Sequence, residues 1–454
     1  MTRKQPNLLF IIADDHRASA LGCYGSAEVA TPNIDALAAR GTRFANAHCQ
    51  GSMHPAVCVP SRASIMTGRD IFAASCELTG SAYEGASFAI PPDLKTFPQV
   101  LRERGYRTHA VGKWHNDTDA FARSFSGGDK IMFGGMGDHD AVHCRPYDPT
   151  GRFPEESTRV EEGFSTDIFS DAATDFLESI GPDAPPFCLY VAYTAPHDPR
   201  TPPPEYRPDP DTLSLPPSFM PVHPFDNGEM RVRDELLDTV PRTPEMVRRH
   251  LADYYGMINH LDARIGTVLK TLRDRGLEDD TIVVYVADHG LALGNHGLLG
   301  KQNLYQHSLH VPLILAGPGI EAGTTVDDLV WHPDLHGSLL AMTDPENGQD
   351  AKLPGEPGRH LFAAYRFNQR MARNERYKLI RYTTSDRAPP GHTDGPGMQS
   401  TPGSSLTQLF DLQNDPDELV NLAHDPAFGE TIRELEAALI AWQRDVGDPL
   451  LAKA

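Results

Sequence analysis

Four apolar runs of the sequence lead into residues that could bind ions. The runs are LLFIIA, THAV, CLYVAYTAP and TIVVYVA. The polar residues that come directly after or close to their ends are Asp14 and Asp15, Lys113 and His115, His197, and Asp288 and His289. Carboxylates and imidazoles are common metal ligands, and lysine or protonated histidine pairs with anions. Together these residues could hold a metal ion beside an anionic group.

These side chains could act together only if the fold brings them to one place. In an open α/β sheet, ligands bind at the carboxyl ends of the strands. If the four runs are neighbouring parallel strands, their polar ends converge at one edge. Lys113 and His115 are two residues apart, so an extended chain presents both side chains on the same side.

Short apolar runs alternate with amphipathic stretches over residues 1–345, which predicts an α/β fold with a largely parallel sheet. Pro32–Arg40 is typical of a short helix and Pro244–Arg275 of a long one, and a glycine follows each. The proline-rich stretch 199–243 predicts an irregular excursion over the surface. The first 345 residues are therefore expected to form one catalytic α/β domain.

A smaller α+β subdomain is predicted for residues 356–454. The stretch 344–359 has repeated proline and glycine and is typical of a linker. The segments expected to form a small antiparallel sheet and a closing helix are Leu361–Tyr365, Tyr377–Tyr382, Leu406–Asp411 and Glu430–Val446. The segment 385–405 is expected to be a long loop without structure of its own, either mobile or functional.

The overall charge limits the kind of partner. The chain carries 62 acidic and 41 basic residues, a formal net charge of −21. Such a field repels nucleic acid and anionic membranes, so neither is expected as a partner. It also repels an anionic substrate, which could bind only beside a local cluster of cations.

Neither a membrane span nor a signal peptide is expected. The apolar runs are short, Leu8–Ala13 being typical, and the N-terminus enters that run without a cleavage site of small residues. The six cysteines lack CxxC spacing and are expected to be reduced thiols. The sequence predicts a cytoplasmic protein, or a periplasmic one if a signal peptide has been removed.

The most specific segment begins at Cys58 and has the pattern C-x-P-S-R-x4-T-G-R. It resembles the signature of the sulfatase family within the alkaline-phosphatase-like superfamily. The other matching segments are Asp14-Asp15, Thr31 to Gly41, Gly112 to His115, His197, Asp288 to Gly290, Gly300-Lys301, Glu375 to Ile380 and Leu409 to Leu412. The resemblance covers nearly the whole chain. It implies an α/β fold of alkaline-phosphatase type, with a large mixed sheet flanked by helices and a smaller C-terminal antiparallel sheet.

The resemblance implies hydrolysis of sulfate monoesters by a formylglycine that a separate maturation enzyme makes from Cys58. One hydroxyl of the hydrated aldehyde would attack sulfur and expel the alcohol, which leaves a covalent sulfate ester. Deprotonation of the other hydroxyl would then release sulfate and restore the aldehyde, so that one hard displacement becomes two steps. Pro60 suits the first turn of a helix, whose N-terminus favours an anion.

The family pattern also implies a set of metal ligands, namely Asp14, Asp15, Asp288 and His289. Many members of the family carry asparagine at the position of His289, and an imidazole there makes the ligand set less purely oxygen-based. Calcium is the expected ion, with manganese or another transition metal as the alternative. The segment Tyr305 to His310 departs from the family pattern too, so no role is carried onto His307 or His310.

The remaining motif residues would surround the nucleophile. The resemblance implies that Arg62 pairs with residue 58 and with the metal-site carboxylates. Lys113 and His197 would hold sulfate oxygens. His115 would take the proton whose loss releases sulfate, and Lys301 would neutralise or protonate the leaving oxygen. These are the local cations that the net charge requires.

The motifs do not specify the alcohol part of the substrate, which could be a small molecule or a carbohydrate. The glycine-rich segment 124–153 is either a surface loop or faces the substrate. Within it, His139, His143 and Arg145 are candidates for contacts with the leaving group. The oligomeric state is open, a homo-oligomer being one option.

Two alternative activities remain. The nearer is a phosphonate monoester or phosphodiester hydrolase of the same superfamily, although hydroxyl residues are expected there in place of Lys113 and His115. A choline-sulfatase-like specificity would be a substrate variant of the main interpretation. The other alternative is a non-catalytic metal- and anion-binding protein in which Cys58 stays a thiol, and the intact Arg62 and Lys301 argue against it.

Overall fold

A computed structural model describes residues 5–77, 88–344, 358–384, 398–399 and 401–451. Its strands are β1 Asn7–Ala13, β2 Thr42–His48, β3 Gly51–Ser52, β4 Cys76–Glu77, β5 Phe88–Ala89, β6 Arg107–Lys113, β7 Gly127–Met132, β8 Ala141–Cys144, β9 Arg159–Glu162, β10 Phe187–Ala192, β11 Arg231–Val232, β12 Thr281–Ala287, β13 Leu313–Ala316, β14 Thr324–Trp331, β15 Leu361–Tyr365, β16 Gln369–Arg373, β17 Tyr377–Tyr382, β18 Met398–Gln399 and β19 Leu406–Asp411. Its α-helices are α1 Pro32–Ala39, α2 Cys58–Thr67, α3 Phe97–Glu103, α4 Thr118–Ser124, α5 Ser165–Glu178, α6 Pro244–Asp274, α7 Gln306–Leu309, α8 His332–Met342 and α9 Gly429–Asp445.

The large sheet has eight strands in the order β14-β2-β13-β12-β1-β10-β6-β7. Strand β1 pairs in parallel with β12 and β10, and β10 pairs in parallel with β6. Strand β13 runs antiparallel to both β12 and β2, so the sheet is mixed. The four runs that lead into ion-binding residues are therefore the adjacent parallel strands β12, β1, β10 and β6, and their polar ends meet at one edge.

The central strands are buried on both faces. In β1, Leu8, Phe10 and Ile12 belong to a core that includes side chains of α2, α3, α4 and α8. The intervening Leu9 and Ile11 belong to a second core with α1, α5 and α6. Because side chains alternate along a strand, a strand covered by helices on both sides is apolar at every position. This burial explains why β1, β10 and β12 are nearly continuous apolar runs in the sequence.

The small sheet has the order β19-β17-β16-β15-β3. Strands β15, β16, β17 and β19 pair antiparallel with their neighbours. Strand β3 pairs in parallel with β15 and comes from the segment just before Cys58. Gly51 in β3 has a φ of 73°, and a Cβ there would lie 2.3 Å from the carbonyl oxygen of Ala364. A strand from the first part of the chain thus completes the sheet of the second part, beside the start of α2.

Most of the predicted elements are confirmed, including the helices now seen as α1, α6 and α9 and the strands β15, β17 and β19. The sequence analysis missed β3 and β16. The stretch 199–243 is irregular as predicted, but the expectation that it lies on the surface is wrong for Asp234, Glu235 and Arg242, which are buried. Within the described ranges, no helix is long and apolar enough to cross a membrane.

Two predictions fall mainly on residues outside those described. The expected linker 344–359 includes residues 345–357, and the loop 385–405 includes 385–397 and 400, none of which is described. The expectation that this loop has no structure of its own is wrong at Met398–Gln399, which form β18 and pair with β11. The division of the chain into domains 1–345 and 356–454 stays a prediction.

Candidate active site

The structure brings ten of the predicted site residues into one cluster at the carboxyl edge of the large sheet. They are Asp14, Asp15, Cys58, Arg62, Lys113, His115, His197, Asp288, His289 and Lys301, each at most 6 % exposed. Seven of them end or follow the strands β1, β6, β10 and β12, as the sequence predicts. Two lie in the first turns of α2, and Lys301 comes from the long loop after β12.

Cys58 opens helix α2 and lies inside the cluster. Its thiol donates to Asp14 Oδ1 at 3.4 Å, and its sulfur lies 3.2 Å from His289 Nε2 and 3.7 Å from Lys301 Nζ. Burial, and then the Asp14 carboxylate, raise the pKa of the thiol. The cations Lys113, Lys301 and His289 outweigh both, so the pKa of Cys58 lies well below its usual range. The position therefore favours a negatively charged group.

Each carboxylate of the cluster is paired with a buried cation of the chain. The pairs are Lys113 with Asp14, Lys301 Nζ with Asp15 Oδ1 at 2.7 Å, and Arg62 Nε with Asp288 Oδ2 at 2.9 Å. Arg62 Nη1 also donates to the carbonyl oxygen of Lys113 at 2.8 Å, which ties α2 to the end of β6. Burial, and then Asp14, raise the pKa of Asp288 to about 6. Buried charges of this kind persist only with partners, so each residue of the cluster depends on its neighbours.

Part of the cluster fits a metal ion. Ligand atoms of Asp14, Asp15, Cys58 and His289 lie within 4.8 Å of one another. Carboxylate oxygens and an imidazole are suitable ligands for a divalent cation. Asp288 lies beside this group, and its Oδ1 accepts from the backbone N–H groups of Asp15 and His289 at 3.1 and 3.0 Å. The residues fit the implied metal, and direct ligation by Asp288 stays a prediction.

His197 and Lys301 reach the cluster from two different loops. His197 Nε2 lies 4.0 Å from Asp15 Oδ2, and its Nδ1 donates to the carbonyl oxygen of Asp198 at 2.7 Å. Burial lowers the pKa of His197, but Asp15 and other carboxylates raise it more, to about 9. Burial also lowers the pKa of Lys301, and Asp15 and Cys58 lead the groups that bring it well above its usual value. Both side chains are therefore cations beside the Cys58 site.

Two residues of the cluster have left-handed backbone conformations, with φ of 63° at Asp15 and 52° at His115. Such conformations cost about 1–3 kcal/mol and concentrate at functional sites. Burial, and then Lys113, lower the pKa of His115 well below its usual value. Among the described residues, His115 Nδ1 has no hydrogen-bond partner. A neutral imidazole with an unused nitrogen is able to accept a proton.

The glycine-rich segment 124–153 contains strands β7 and β8 and touches the cluster at two points. A Cβ on Gly135 would lie 2.5 Å from His115 Nε2, so the backbone there lies against that ring. His139 is 1 % exposed, and its Nε2 donates to the carbonyl oxygen of His197 at 2.9 Å. Its Nδ1 is 2.7 Å from a serine hydroxyl of α5. These contacts place His139 directly behind His197.

The other two candidates of this segment have different surroundings. His143 is exposed on β8. Arg145 donates from Nε to Thr158 Oγ1 at 2.9 Å and from Nη1 to the carbonyl oxygen of Phe153 at 2.6 Å. Arg145 therefore holds its own segment together. Contacts of His139, His143 and Arg145 with a leaving group stay predictions.

The sequence analysis missed a group of polar residues behind the cluster, namely Asp198, Arg233, Asp234, Glu235 and Gln302. They connect the loop that carries His197 to the loop that carries Lys301. Asp198 and Gln302 could have been suspected because each directly follows a motif residue. No pattern marks Arg233, Asp234 or Glu235, which lie in the proline-rich stretch.

Comparison with known proteins places the chain in a family. The sulfatase family profile matches residues 6–345 of the 454. The chain is 31 % identical to human iduronate 2-sulfatase over 393 residues, which are 78 % of this chain and 65 % of that protein. It is 28 % identical to the N-acetylglucosamine-6-O-sulfatase of Bacteroides thetaiotaomicron over 411 residues, which are 76 % of this chain and 69 % of that protein. The chain belongs to the sulfatase family of sulfuric ester hydrolases.

The solved structures confirm the fold. The phosphonate monoester hydrolase of Agrobacterium radiobacter superposes with a TM-score of 0.70 at 20 % sequence identity, covering 97 % of this chain and 96 % of that one. At this identity the likeness shows the fold and not the activity. The fold is of the alkaline-phosphatase type that the sequence resemblance implies, with a large mixed sheet and a smaller antiparallel one.

Proposed function

We propose that this protein hydrolyses sulfate monoesters to an alcohol and sulfate, with a nucleophile generated from Cys58. The observation that carries the proposal is the position of the Cys58 sulfur at the start of α2, within 3.7 Å of Lys301 and close to His289. An anionic sulfuryl group placed there meets the Lys301 ammonium and the helix N-terminus, beside the residues proposed to hold the metal. The local cations supply what a chain of net charge −21 lacks overall.

A separate maturation enzyme is proposed to convert Cys58 to formylglycine, because the C-x-P-S-R pattern is intact. The aldehyde hydrate supplies one hydroxyl as the nucleophile and a second through which sulfate is released. Arg62 lies one helical turn after Cys58 and bonds both Asp288 and the backbone of Lys113. It therefore holds the start of α2 in position against the ends of β12 and β6.

The other side chains act on the ester. Lys113 and His197 bind the non-bridging sulfate oxygens and align sulfur with residue 58. His115 accepts the proton whose loss releases sulfate, a role that suits a neutral imidazole with an unused nitrogen. Lys301 places its ammonium beside the leaving oxygen, which gains negative charge in the transition state.

The residues proposed to hold the metal are Asp14, Asp15, Asp288 and His289, with calcium as the expected ion and manganese as the alternative. A divalent ion bound there withdraws charge from the sulfate group. Carboxylate oxygens favour a hard cation such as calcium. Manganese is the alternative because His289 supplies an imidazole nitrogen in place of an oxygen ligand.

A phosphonate or phosphodiester hydrolase is the alternative, since the same fold carries that activity in the structural relative. Lys113 and His115 favour the sulfate ester, because hydroxyl residues are expected at these places in the phosphonate hydrolases. The non-catalytic alternative is disfavoured by the number of buried cations directed at Cys58. Burying an unpaired charge is costly, and a merely structural site does not require so many.

A sulfated carbohydrate is the proposed substrate class, because both named relatives are sulfatases that act on sugars or sugar acids by their names. The segment 124–153 and the loop 385–405 are proposed to select the alcohol part. Trimming either should change relative rates among substrates while the metal content is unchanged. A cytoplasmic location, or a periplasmic one after removal of a signal peptide, and a homo-oligomeric state stay predictions.

Mass spectrometry of the peptide that contains Cys58 tests the nucleophile. Protein produced together with a maturation enzyme is expected to show the mass loss of thiol to aldehyde and to hydrolyse an aryl sulfate. A Cys58→Ala variant made in the same way serves as the control, because it keeps the fold and lacks the nucleophile. A fully active protein with an unmodified thiol would contradict the proposal.

A further inference from the structure

Three consecutive charged residues in the proline-rich stretch lie behind the active site. A short 3-10 turn, Arg233–Leu237, begins with these three residues, Arg233, Asp234 and Glu235. Asp234 and Glu235 are only 4 % and 5 % exposed, although nothing in the sequence distinguishes them from surface residues. Buried carboxylates require partners, and the partners identify what the turn holds.

Glu235 holds the backbone that leads into Lys301. Its carboxylate accepts from the N–H of Leu299 at 3.0 Å and from the N–H of Gly300 at 2.8 Å. Arg242 donates from Nη2 to the same carboxylate at 2.8 Å and balances its charge. A Cβ on Gly300 would lie 3.0 Å from Glu235 Oε1, so the glycine permits the close approach. Two successive N–H groups bound to one buried carboxylate fix this part of the loop.

Asp234 holds the other side of Lys301. Its Oδ2 accepts from Gln302 Nε2 at 2.8 Å. The side-chain oxygen of Gln302 in turn accepts from the backbone N–H of Lys301 at 3.0 Å. Glu235 therefore fixes the backbone just before Lys301, at residues 299 and 300. Asp234 fixes the side chain of Gln302, which in turn bonds the backbone N–H of Lys301.

Arg233 contacts the loop that carries His197. Its two terminal nitrogens bond both oxygens of Asp198, Nη2 to Oδ1 at 3.0 Å, and Asp198 directly follows His197. Arg233 Nη2 also bonds Asp234, so the residue that contacts Asp198 is bonded to the residue that contacts Gln302. One turn thus contacts both loops whose side chains, Lys301 and His197, converge on Asp15.

We propose that Arg233, Asp234 and Glu235 are positioning residues that fix the distance between Lys301 and His197 across the reacting sulfate ester. The inference rests on the proposed function, which places Lys301 at the leaving oxygen and His197 at the non-bridging oxygens. Both cations must be in place before the charge develops, and a misplacement of about 1 Å can cost about 10²-fold in rate. Glu235 and Asp234 act through Lys301, and Arg233 acts through His197.

A double-mutant cycle on fully matured enzyme tests the proposal. Glu235→Gln keeps the shape of the side chain and weakens the hydrogen bonds that it accepts from the N–H groups of Leu299 and Gly300. The variant is expected to lower kcat/KM for aryl sulfates with poor leaving groups by about tenfold to 10²-fold, and to affect activated aryl sulfates far less. In a Lys301→Ala background the same change should add less than about twofold, because its effect passes through Lys301. Equal losses for all leaving groups, or full additivity with Lys301→Ala, would overturn the proposal.

Glu418→Gln is the matched control. Glu418 is also a buried carboxylate paired with a cation, Lys378 Nζ at 2.6 Å, but it lies on the small-sheet side. Its loss is expected to lower thermal stability without changing the dependence on the leaving group. If Glu235→Gln fails to fold, Asp234→Asn enters the same cycle with the same expected outcome.

Amide hydrogen exchange gives a readout that does not need turnover. Glu235→Gln should speed exchange in the peptide that contains Leu299 and Gly300, and Glu418→Gln should not. Unchanged exchange at those amides would overturn the positioning role even in an active enzyme. Failure of the matured wild-type protein to hydrolyse any sulfate ester would instead overturn the proposed function, so the two failures are distinguishable.

Discussion

At the scale of single residues, the site consists of three buried ion pairs around Cys58. Asp14, Asp15 and Asp288 each have a cationic partner from another part of the chain. Removing one member of a buried pair leaves the other unpaired and costs about 3–5 kcal/mol. A substitution here therefore changes stability as well as chemistry, and each variant requires a control with a comparable loss of stability.

Asp288→Ala is expected to abolish metal binding and activity together. The change removes one of three clustered carboxylates and leaves Arg62, its partner at 2.9 Å, as an extra positive charge beside the ion. Elemental analysis of the purified variant measures the bound metal. Asp448→Ala is the control, since Asp448 is a buried carboxylate bonded to Arg370 far along the chain. The control should lose stability and keep its metal, and full metal occupancy in Asp288→Ala would refute the assignment.

Lys301→Ala is expected to lower kcat/KM by roughly 10²–10³-fold for sulfate esters of basic alcohols, the range seen when one charge-stabilising donor is removed. Activated aryl sulfates should lose much less, because their leaving oxygens need little assistance. The check is a plot of log kcat/KM against the pKa of the leaving alcohol, which should be steeper for the variant. Parallel plots for the variant and the wild type would show that Lys301 does not act at the leaving oxygen.

Much of the site could be predicted at this scale because its residues follow long apolar runs and lie in motifs. The resemblance implied that Arg62 pairs with metal-site carboxylates, and Arg62 does bond Asp288. The ion pair between Lys301 and Asp15 could not be predicted, since it joins residues more than 200 positions apart. The left-handed backbone conformations of Asp15 and His115 could not be predicted from the sequence either, because neither residue type requires such a conformation.

At the scale of elements, the order of the strands in the large sheet brings the site residues together. The adjacent parallel strands β12, β1, β10 and β6 deliver their polar ends to one edge, while α2 presents Cys58 to the same place. Strands buried on both faces are visible in a sequence as apolar runs. Strand β16 was missed because its sequence is QRMAR, yet all five residues are buried. Its Arg370 is bonded to Asp448 and its Arg373 to His48, and such distant partners cannot be inferred from a short polar segment.

Gly135→Ala tests whether the segment between β7 and β8 shapes the site. The added methyl group would lie 2.5 Å from His115 Nε2 and must displace that ring or the segment. We expect kcat to fall by up to about 10²-fold with the metal content unchanged. Gly137→Ala is the control, because its nearest contact would be 3.9 Å away, at Met132. Equal activities of the two variants would show that the contact with His115 has no catalytic importance.

At the scale of the whole molecule, a chain of net charge −21 keeps a compact set of cations at the edge of its main sheet. The long-range field of the protein repels an anionic ester, whereas the buried cations act at short range, where screening by salt and water is weak. The small sheet borders this edge through β3, so both sheets help to fix the segment that leads into Cys58. The net charge predicts that nucleic acid is not a partner, but it cannot distinguish a sulfate ester from a phosphonate.

The chain shares its fold with a phosphonate monoester hydrolase, so a comparison of substrates tests the central claim most directly. The measurement is kcat/KM of fully matured enzyme on matched aryl sulfate, aryl phosphate and aryl phosphonate esters with the same leaving group. In the proposed mechanism Lys113 binds a singly charged sulfuryl group and His115 accepts the proton whose loss releases sulfate, so we predict a clear preference for the sulfate ester. A clear preference for the phosphonate or for a phosphodiester would contradict the account and favour the alternative activity.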